Sequence, residues 1–263
     1  MDVLTPRSLD EALSLKAEHP DALPIQGGTD VMVALNFDRA RPGALLNLNE
    51  VADLRGWSRS NGTLRLGAGL TYTEAMQRDV AEAVPSLAEA SRTVGSPQIR
   101  NRGTIGGNLG TASPAGDALP PLLVERAAVE VASIRGARSV PLVDFLVGVK
   151  RNALDEDELI LGVQLEPSRQ PQTFMKVGPR NAMVIAVCSL AVMADRERGE
   201  LRAAFGSSAP TARLVTSPID EADGFADRVA DAAAPIDDVR GTASYRRHAL
   251  RVLTLRALER CLA

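Results

Sequence analysis

Two stretches decide how this chain is read: IQGGTD at residues 25–30 and GTIGGNLGTASPAGD at residues 103–117. Each sets a pair of adjacent glycines after an apolar run. Without a Cβ, glycine lets the chain turn sharply, lets a ligand come up against the main chain, and lets successive N–H groups converge. Converging amides suit a diphosphate, whose charges must be paired once they leave water. Thr29, Thr104, Asn108 and Ser113 add short polar side chains beside the turns, and Asp117 offers a carboxylate to ribose or ribityl hydroxyls. Taken singly, each turn reads as tight strand-to-helix packing, because Gly-Gly is common in loops. Taken together, the two turns and their hydroxyls leave a nucleotide-like ligand and plain packing as open alternatives. Asp30 reads as the cap of the helix that follows, its carboxylate on backbone N–H groups, since its charge repels phosphate.

The familiar phosphate motifs are absent. No Gly-x4-Gly-Lys-Ser/Thr string occurs, and Gly67-Ala68-Gly69 begins a G-x-G-x-x-G fingerprint that Tyr72 breaks. A dinucleotide site here is not of the Rossmann kind.

Working outward, Ser8 and Glu11 form a capping-box pattern before an apolar-periodic run, predicting a helix over 9–18. Short strands are expected at 22–26 and 44–48, with a helical stretch over 31–35 after the first glycine turn. Segments 54–59 and 63–67 flank Asn61-Gly62, a strong hairpin signal. Thr71 and Glu74 repeat the capping box and open a helix to about Ala83; Pro85 opens another that ends near Gly95. From Ser96 to Asp117 turn residues alternate with small apolar ones, which predicts an ordered binding loop. A helix over 119–124, strands over 128–134 and 139–142, a short helix over 145–150 and a strand over 159–165 follow. Pro167 to Pro171 is the linker candidate. Beyond it come a strand at 172–177, an apolar element at 184–193, a strand at 201–206, a weak helix over 221–234 and a terminal helix over 244–262. The pattern is α+β, with a two-part region over 1–167 and a smaller region over 168–263.

Composition narrows the function. Thirty basic residues against 33 acidic ones give a net charge of -3, which supplies no attraction for nucleic acid or an anionic membrane. Aromatics are 3% of residues, so the core must be aliphatic. Cys188 and Cys261 stand apart in apolar runs and read as buried thiols of a reducing cytoplasm. No Cys-x-x-Cys is present, and His19 and His248 are the only histidines, so an iron–sulfur cluster, a multi-histidine metal site or a catalytic triad is not expected within this chain. The segment MDVLTPRSLDEALSL lacks the charged, apolar and small-residue regions of a secretory signal, and a cytoplasmic location is expected. Lys150-Arg151 and Arg246-Arg247 read as solvated faces, His248 as a helix-surface residue, and Trp57 as packing.

The GGTD turn, the TIGGN turn and the SPAGD segment resemble, in order and spacing, the FAD signature of the flavin-binding subunits of the xanthine dehydrogenase and carbon monoxide dehydrogenase family. FLVGVKRNAL at 145–154, ELILGVQL at 158–165, FMKVGPRNAMVIA at 174–186 and YRRHALRVLTLRAL at 245–258 resemble later blocks of the same family, so the likeness covers nearly the whole chain. It implies an α+β, two-subdomain FAD-binding fold of the vanillyl-alcohol-oxidase/molybdenum-hydroxylase type, followed by a smaller α/β C-terminal domain. It implies further that Ile25, Gln26, Gly27, Gly28, Thr29, Asp30 and Val31 wrap the FAD diphosphate. Thr104, Ile105, Gly106, Gly107 and Asn108 hold it from the other side, with Ser113 beside them. Asp117 meets the sugar hydroxyls, Ile160 or Leu161 packs near the cofactor, and Lys176 approaches it from the C-terminal region. Val94 stands where some relatives carry an aromatic residue near the adenine.

By the same resemblance, molybdopterin sits on a large partner subunit and [2Fe-2S] clusters on a small one. This chain passes electrons from the clusters to NAD or another acceptor. Lys176 and Arg180 are the candidate cations beside the flavin, and no side chain is required as an acid or base. A stand-alone flavin oxidoreductase is the alternative, weakened by the short chain and by the lack of His or Cys in either turn. A flavin-free scaffold is the other alternative, weakened by the intact turns.

Overall fold

The computed structural model describes residues 1–263. Helix and strand interleave in an α+β arrangement around three main sheets. The first is a small parallel sheet with Ala44–Asn47 in the middle, Asp2–Leu4 on one side and Leu23–Ile25 on the other. Its strands end where the first glycine turn begins, because Ile25 pairs with Asn47 and Gln26 leads directly into Gly27-Gly28.

The second sheet is antiparallel, in the order Trp57–Ser60, Thr63–Gly67, Leu159–Leu165, Ala128–Ser133, Gly136–Pro141. Asn61 and Gly62 take φ of 50° and 85°, so the hairpin uses the turn whose twist matches its strands. Leu54 is not part of that hairpin; it closes a 3-10 turn over Ala52–Leu54. The third sheet is a meander of Gln172–Val177, Cys188–Asp195, Glu200–Gly206 and Arg213–Pro218.

Every residue of Cys188–Asp195 is buried, and the period of two explains how. Leu190, Val192 and Ala194 join a 17-residue core with the helices Ala222–Asp231 and Ala243–Leu262. Ala191 and Met193 join the other, 40-residue core, made mostly of residues before Pro167. The third sheet is therefore a layer with its own helices on one face and the N-terminal elements on the other. Polar contacts fasten that second face. Glu89, on the helix Pro85–Thr93, accepts from the Thr173 hydroxyl at 2.9 Å and the Phe174 amide at 2.6 Å. The Arg202 guanidinium donates to the Val124 carbonyl and pairs with buried Asp195 at 2.5 Å.

Several expectations are corrected. The helix opened by the Thr71–Glu74 capping box does not run to Ala83; it stops at Ala75, and Arg78–Ala83 is a separate helix. The segment 96–117 is not a loop throughout, since it folds into helices Pro97–Arg100 and Ile105–Thr111, each opened by a Ser or Thr cap. The helix expected over 145–150 lies earlier, at Leu142–Phe145, and Leu146–Gly148 is a strand. Strands Asp2–Leu4 and Arg213–Pro218 carry no clear alternation and were not expected. Arg246 is not solvated. It is 2% exposed, and its guanidinium donates to the Val187 and Ser207 carbonyls and to Asp238. Cys188 and Cys261 are buried thiols, with burial pushing the first up to about 12 and the second to about 11. No helix is long and apolar enough to cross a membrane, and no cluster of His, Cys, Asp and Glu forms a metal site.

Candidate functional site

The first glycine turn leaves the parallel sheet; the second follows the short helix Pro97–Arg100 and docks on Ala68 and Leu70, just past the strand Thr63–Gly67. The two meet across a cavity of about 310 Å³, within the range of small-ligand sites. Of the expected residues, Ile25 to Val31, Thr104, Gly106, Gly107, Asn108 and Ile160 line it. The turns touch directly. A Cβ on Gly27 would lie 2.1 Å from the Arg102 carbonyl oxygen, so only glycine permits the contact. Gly28 takes φ +74°, which returns the chain into the helix Val31–Asn36.

The amides divide unequally between the turns. The N–H groups of Gly27, Gly28, Thr29, Asp30 and Val31 find no acceptor in the protein. In the second turn, Ile105 donates to the Leu70 carbonyl at 2.9 Å, Gly106 to Ala68 at 2.8 Å and Asn108 to Thr104 at 3.0 Å. Gly107 donates to the Thr104 hydroxyl at 3.0 Å, the helix cap. The two glycines of this turn also differ. A Cβ on Gly106 would lie 2.6 Å from that of Ala68, so Gly106 packs helix on strand. Gly107 is exposed on the cavity, and a Cβ there would meet only the Thr104 hydroxyl, at 3.1 Å.

Asp30 does not cap its helix. It sits in the αR region with no side-chain bond to a backbone amide, and its carboxylate accepts from the Thr111 hydroxyl at 3.0 Å. An αR residue aims its side chain away from the first-turn amides, so those amides stay free and Asp30 instead ties the first turn to the far end of the helix Ile105–Thr111.

Four expected residues stand outside the cavity lining. Ile105 is fully buried in the larger core. Ser113 shapes its own turn, accepting from the Ala115 amide at 3.3 Å. Lys176 donates to Asp117 at 2.5 Å and to the Thr93 carbonyl at 3.2 Å, with both side chains under 10% exposed. Burial raises the Asp117 carboxyl, and the Lys176 charge opposes that rise. The second Asp117 oxygen is buried without a partner, as is the Asn108 side-chain oxygen at the cavity edge. Arg180 is exposed and folds back on the Ala182 and Met183 carbonyls. Val94 and Trp57 lie outside the cavity, Trp57 on an exposed edge strand.

Sequence reasoning missed Leu23, Leu48, Tyr72, Leu154, Glu158 and Leu159 among the lining residues. Tyr72 entered the sequence reading only as the residue that broke a Rossmann fingerprint. It is buried, its ring lies against Gly103, and burial with the charges of Asp117 and Asp30 holds its phenol protonated. Glu158 is paired with Arg138 through two bonds of 2.7 and 2.6 Å, which hold its carboxyl below the usual range. The cavity thus joins a row of free amides to an aliphatic wall, and its buried carboxylate is already neutralised. Neither histidine reaches it. The donor row fits a diphosphate and the wall fits a planar apolar ring.

Comparison with known proteins bears on this geometry. The family described as "FAD binding domain in molybdopterin dehydrogenase" matches residues 1–167. The xanthine dehydrogenase FAD-binding subunit of Escherichia coli O157:H7 is 29% identical over 97% of this chain and 94% of that one. The nicotinate dehydrogenase FAD-subunit of Eubacterium barkeri is 34% identical over 71% of this chain and 66% of its own length. Among solved structures, carbon monoxide dehydrogenase from Hydrogenophaga pseudoflava superposes with a TM-score of 0.92 at 25% identity, covering 100% of this chain and 97% of that one. Quinoline 2-oxidoreductase from Pseudomonas putida 86 gives 0.91 at 26%, covering 99% and 96%.

Proposed function

This chain belongs to the family of FAD-binding domains of molybdopterin dehydrogenases, and from that premise we propose that it is the electron-transfer subunit of a molybdenum hydroxylase. In this reading a large partner subunit holds molybdopterin and a small one holds [2Fe-2S] clusters. Electrons arrive from the clusters and leave to NAD. The domain division runs 1–167 and 168–263, supported by the family match ending at Glu166-Pro167 and by the separate 17-residue core that follows.

The observation that carries the reading is the row of unpaired amides from Gly27 to Val31 facing the helix Ile105–Thr111 across one cavity. Those amides hold the FAD diphosphate. Thr104 and Asn108 close on it from the other side, and Gly107 lets the main chain approach. Leu159 and Ile160 exclude water from the apolar wall. Tyr72 remains a neutral phenol and so presents a donor rather than a charge. The bound flavin supplies the link between one-electron and two-electron partners. The cavity holds no histidine, and its buried Glu158 is committed to Arg138. Asp117 and Lys176 form a buried pair that ties the second motif to the C-terminal sheet.

The test is isolation of the complex from its source, followed by rapid mixing. A molybdopterin-bearing large chain and a cysteine-rich small chain should co-purify. The flavin absorbance should bleach on adding substrate and return on adding NAD in the absence of oxygen. A flavin that reoxidises only with oxygen or a quinone sets NAD aside, and a colourless chain removes the reading altogether.

A further inference from the structure

Two successive glycines give the first turn its close approach and also leave its amides poorly directed. A peptide flanked by glycine rotates at little cost, and a half-turn would present a carbonyl where an anion needs an N–H. The structure shows what prevents this. The Gln26 carbonyl accepts two hydrogen bonds, from Asn49 Nδ2 at 3.0 Å and from Arg102 Nη2 at 3.2 Å. Asn49 is itself fixed. Its second amide hydrogen goes to Asn47 Oδ1 at 2.7 Å, its main-chain N–H donates to the same oxygen at 3.2 Å, and its carbonyl accepts from Arg55. Arg102 grips the turn twice, since its own carbonyl packs on Gly27 while its guanidinium holds Gln26.

These donors occupy one side of the turn. Asn49 and Arg102 line a second cavity of about 150 Å³ that has no hydrophobic side chain in its lining and shares Gln26, Gly27 and Thr104 with the larger one, so the turn is the wall between the two. No peptide bond in the chain is cis. In a trans peptide the N–H points opposite to the C=O. A Gln26 carbonyl held toward Asn49 and Arg102 therefore sends the Gly27 N–H, which has no acceptor in the protein, into the larger cavity.

We propose that Asn49 and Arg102 clamp the Gln26–Gly27 peptide and are positioning residues for the FAD diphosphate: they touch no cofactor and act by fixing the direction of one amide. The proposal rests on the reading that the first glycine turn grips the diphosphate. Neither residue is required for the core, because Arg102 is exposed and Asn49 half-buried.

The experiment uses the full chain, stripped of flavin and titrated with FAD, with the Gly27 amide followed in 15N spectra. Asn49→Asp keeps the size and removes the donor; Arg102→Ala removes the guanidinium; Arg102→Lys restores a cationic donor. The first two should each weaken FAD binding by about tenfold, as for loss of a well-placed hydrogen bond. The melting temperature of the flavin-free chain should not change, and Arg102→Lys should recover part of the affinity. At saturating FAD the Gly27 resonance should shift in the natural chain and stay near its flavin-free position in Asn49→Asp. Unchanged affinity in both variants overturns the clamp. So does weakened affinity with a Gly27 shift equal to that of the natural chain, which would mean a general distortion. If the natural chain binds FAD without moving Gly27 at all, the reading of the turn itself fails instead.

Discussion

At Gly27-Gly28 the five amides from Gly27 to Val31 are left open to the cavity, while at Gly106-Gly107 those of Ile105, Gly106, Gly107 and Asn108 are all used within the fold. The sequences GGTD and TIGGN offer no hint of that difference. It comes from what each turn is attached to. The first leaves the edge of a three-stranded sheet and starts a six-residue helix whose cap residue turns away. The second is stitched to Leu70 and Ala68 and capped by its own threonine. One turn therefore supplies donors, and the other supplies a rigid wall with a bare spot at Gly107. The lesson is that a paired glycine is evidence of close approach, but what approaches, ligand or protein backbone, is settled position by position.

That contrast can be broken or sharpened by substitution. The largest effect is expected at the glycines pressed on protein. Gly27→Ala and Gly106→Ala should each cost about 3 kcal/mol in urea unfolding, because the new methyl meets the Arg102 carbonyl or Ala68. Gly107→Ala should cost nothing measurable, and a loss as large as at the other two would erase the distinction between packing and cavity-facing positions. Gly107→Val should next remove FAD from the purified chain while leaving its unfolding curve in place; normal visible absorbance in that variant would show that the bare spot is not where the cofactor passes.

The wall shared by both turns has its own signature in pH. Arg138 holds the Glu158 carboxyl below the ordinary 4.5, so this pair contributes stability that is complete above that pH and is lost as pH falls through the depressed value. Glu158→Gln should therefore melt lower than the natural chain at pH 7, with the gap closing as both are taken into acid through the depressed value. A gap that persists in acid would show that the carboxylate charge is not what matters there. The smallest effect is expected at Asp30→Asn, which keeps an acceptor for Thr111 and removes a negative charge from beside the amide row. FAD should bind about threefold more tightly, a surface-level Coulomb effect that weakens in high salt. Weaker binding would mean that the carboxylate assists the turn beyond its tie to Thr111.

Much of this was readable beforehand. The hairpin at Asn61-Gly62, the capping box at Thr71–Glu74 and the strand Leu159–Leu165 are local signals, and each appears at its expected place. Twelve of the sixteen expected site residues line one cavity because they belong to two contiguous motifs and one strand end. What could not be read was anything set by long-range partners. Tyr72 looks like a helix residue until Gly103 is laid against its ring. Arg246 looks like one of a solvated basic pair until the Val187 and Ser207 carbonyls and Asp238 surround it. Asp30 has the composition of a cap, and only its αR backbone shows that it is not one.

The sequence by itself determined the two glycine bends, many of the helices and strands, the aliphatic core and the likeness to a flavoprotein family, because each depends on residue type within a short window. The tertiary structure alone decided which amides remain unpaired, which glycine faces ligand space and which carbonyl is held by Asn49 and Arg102. Those outcomes depend on hydrogen bonds between residues as many as 81 positions apart, and the direction of a peptide plane is fixed by its partners rather than by its own side chain.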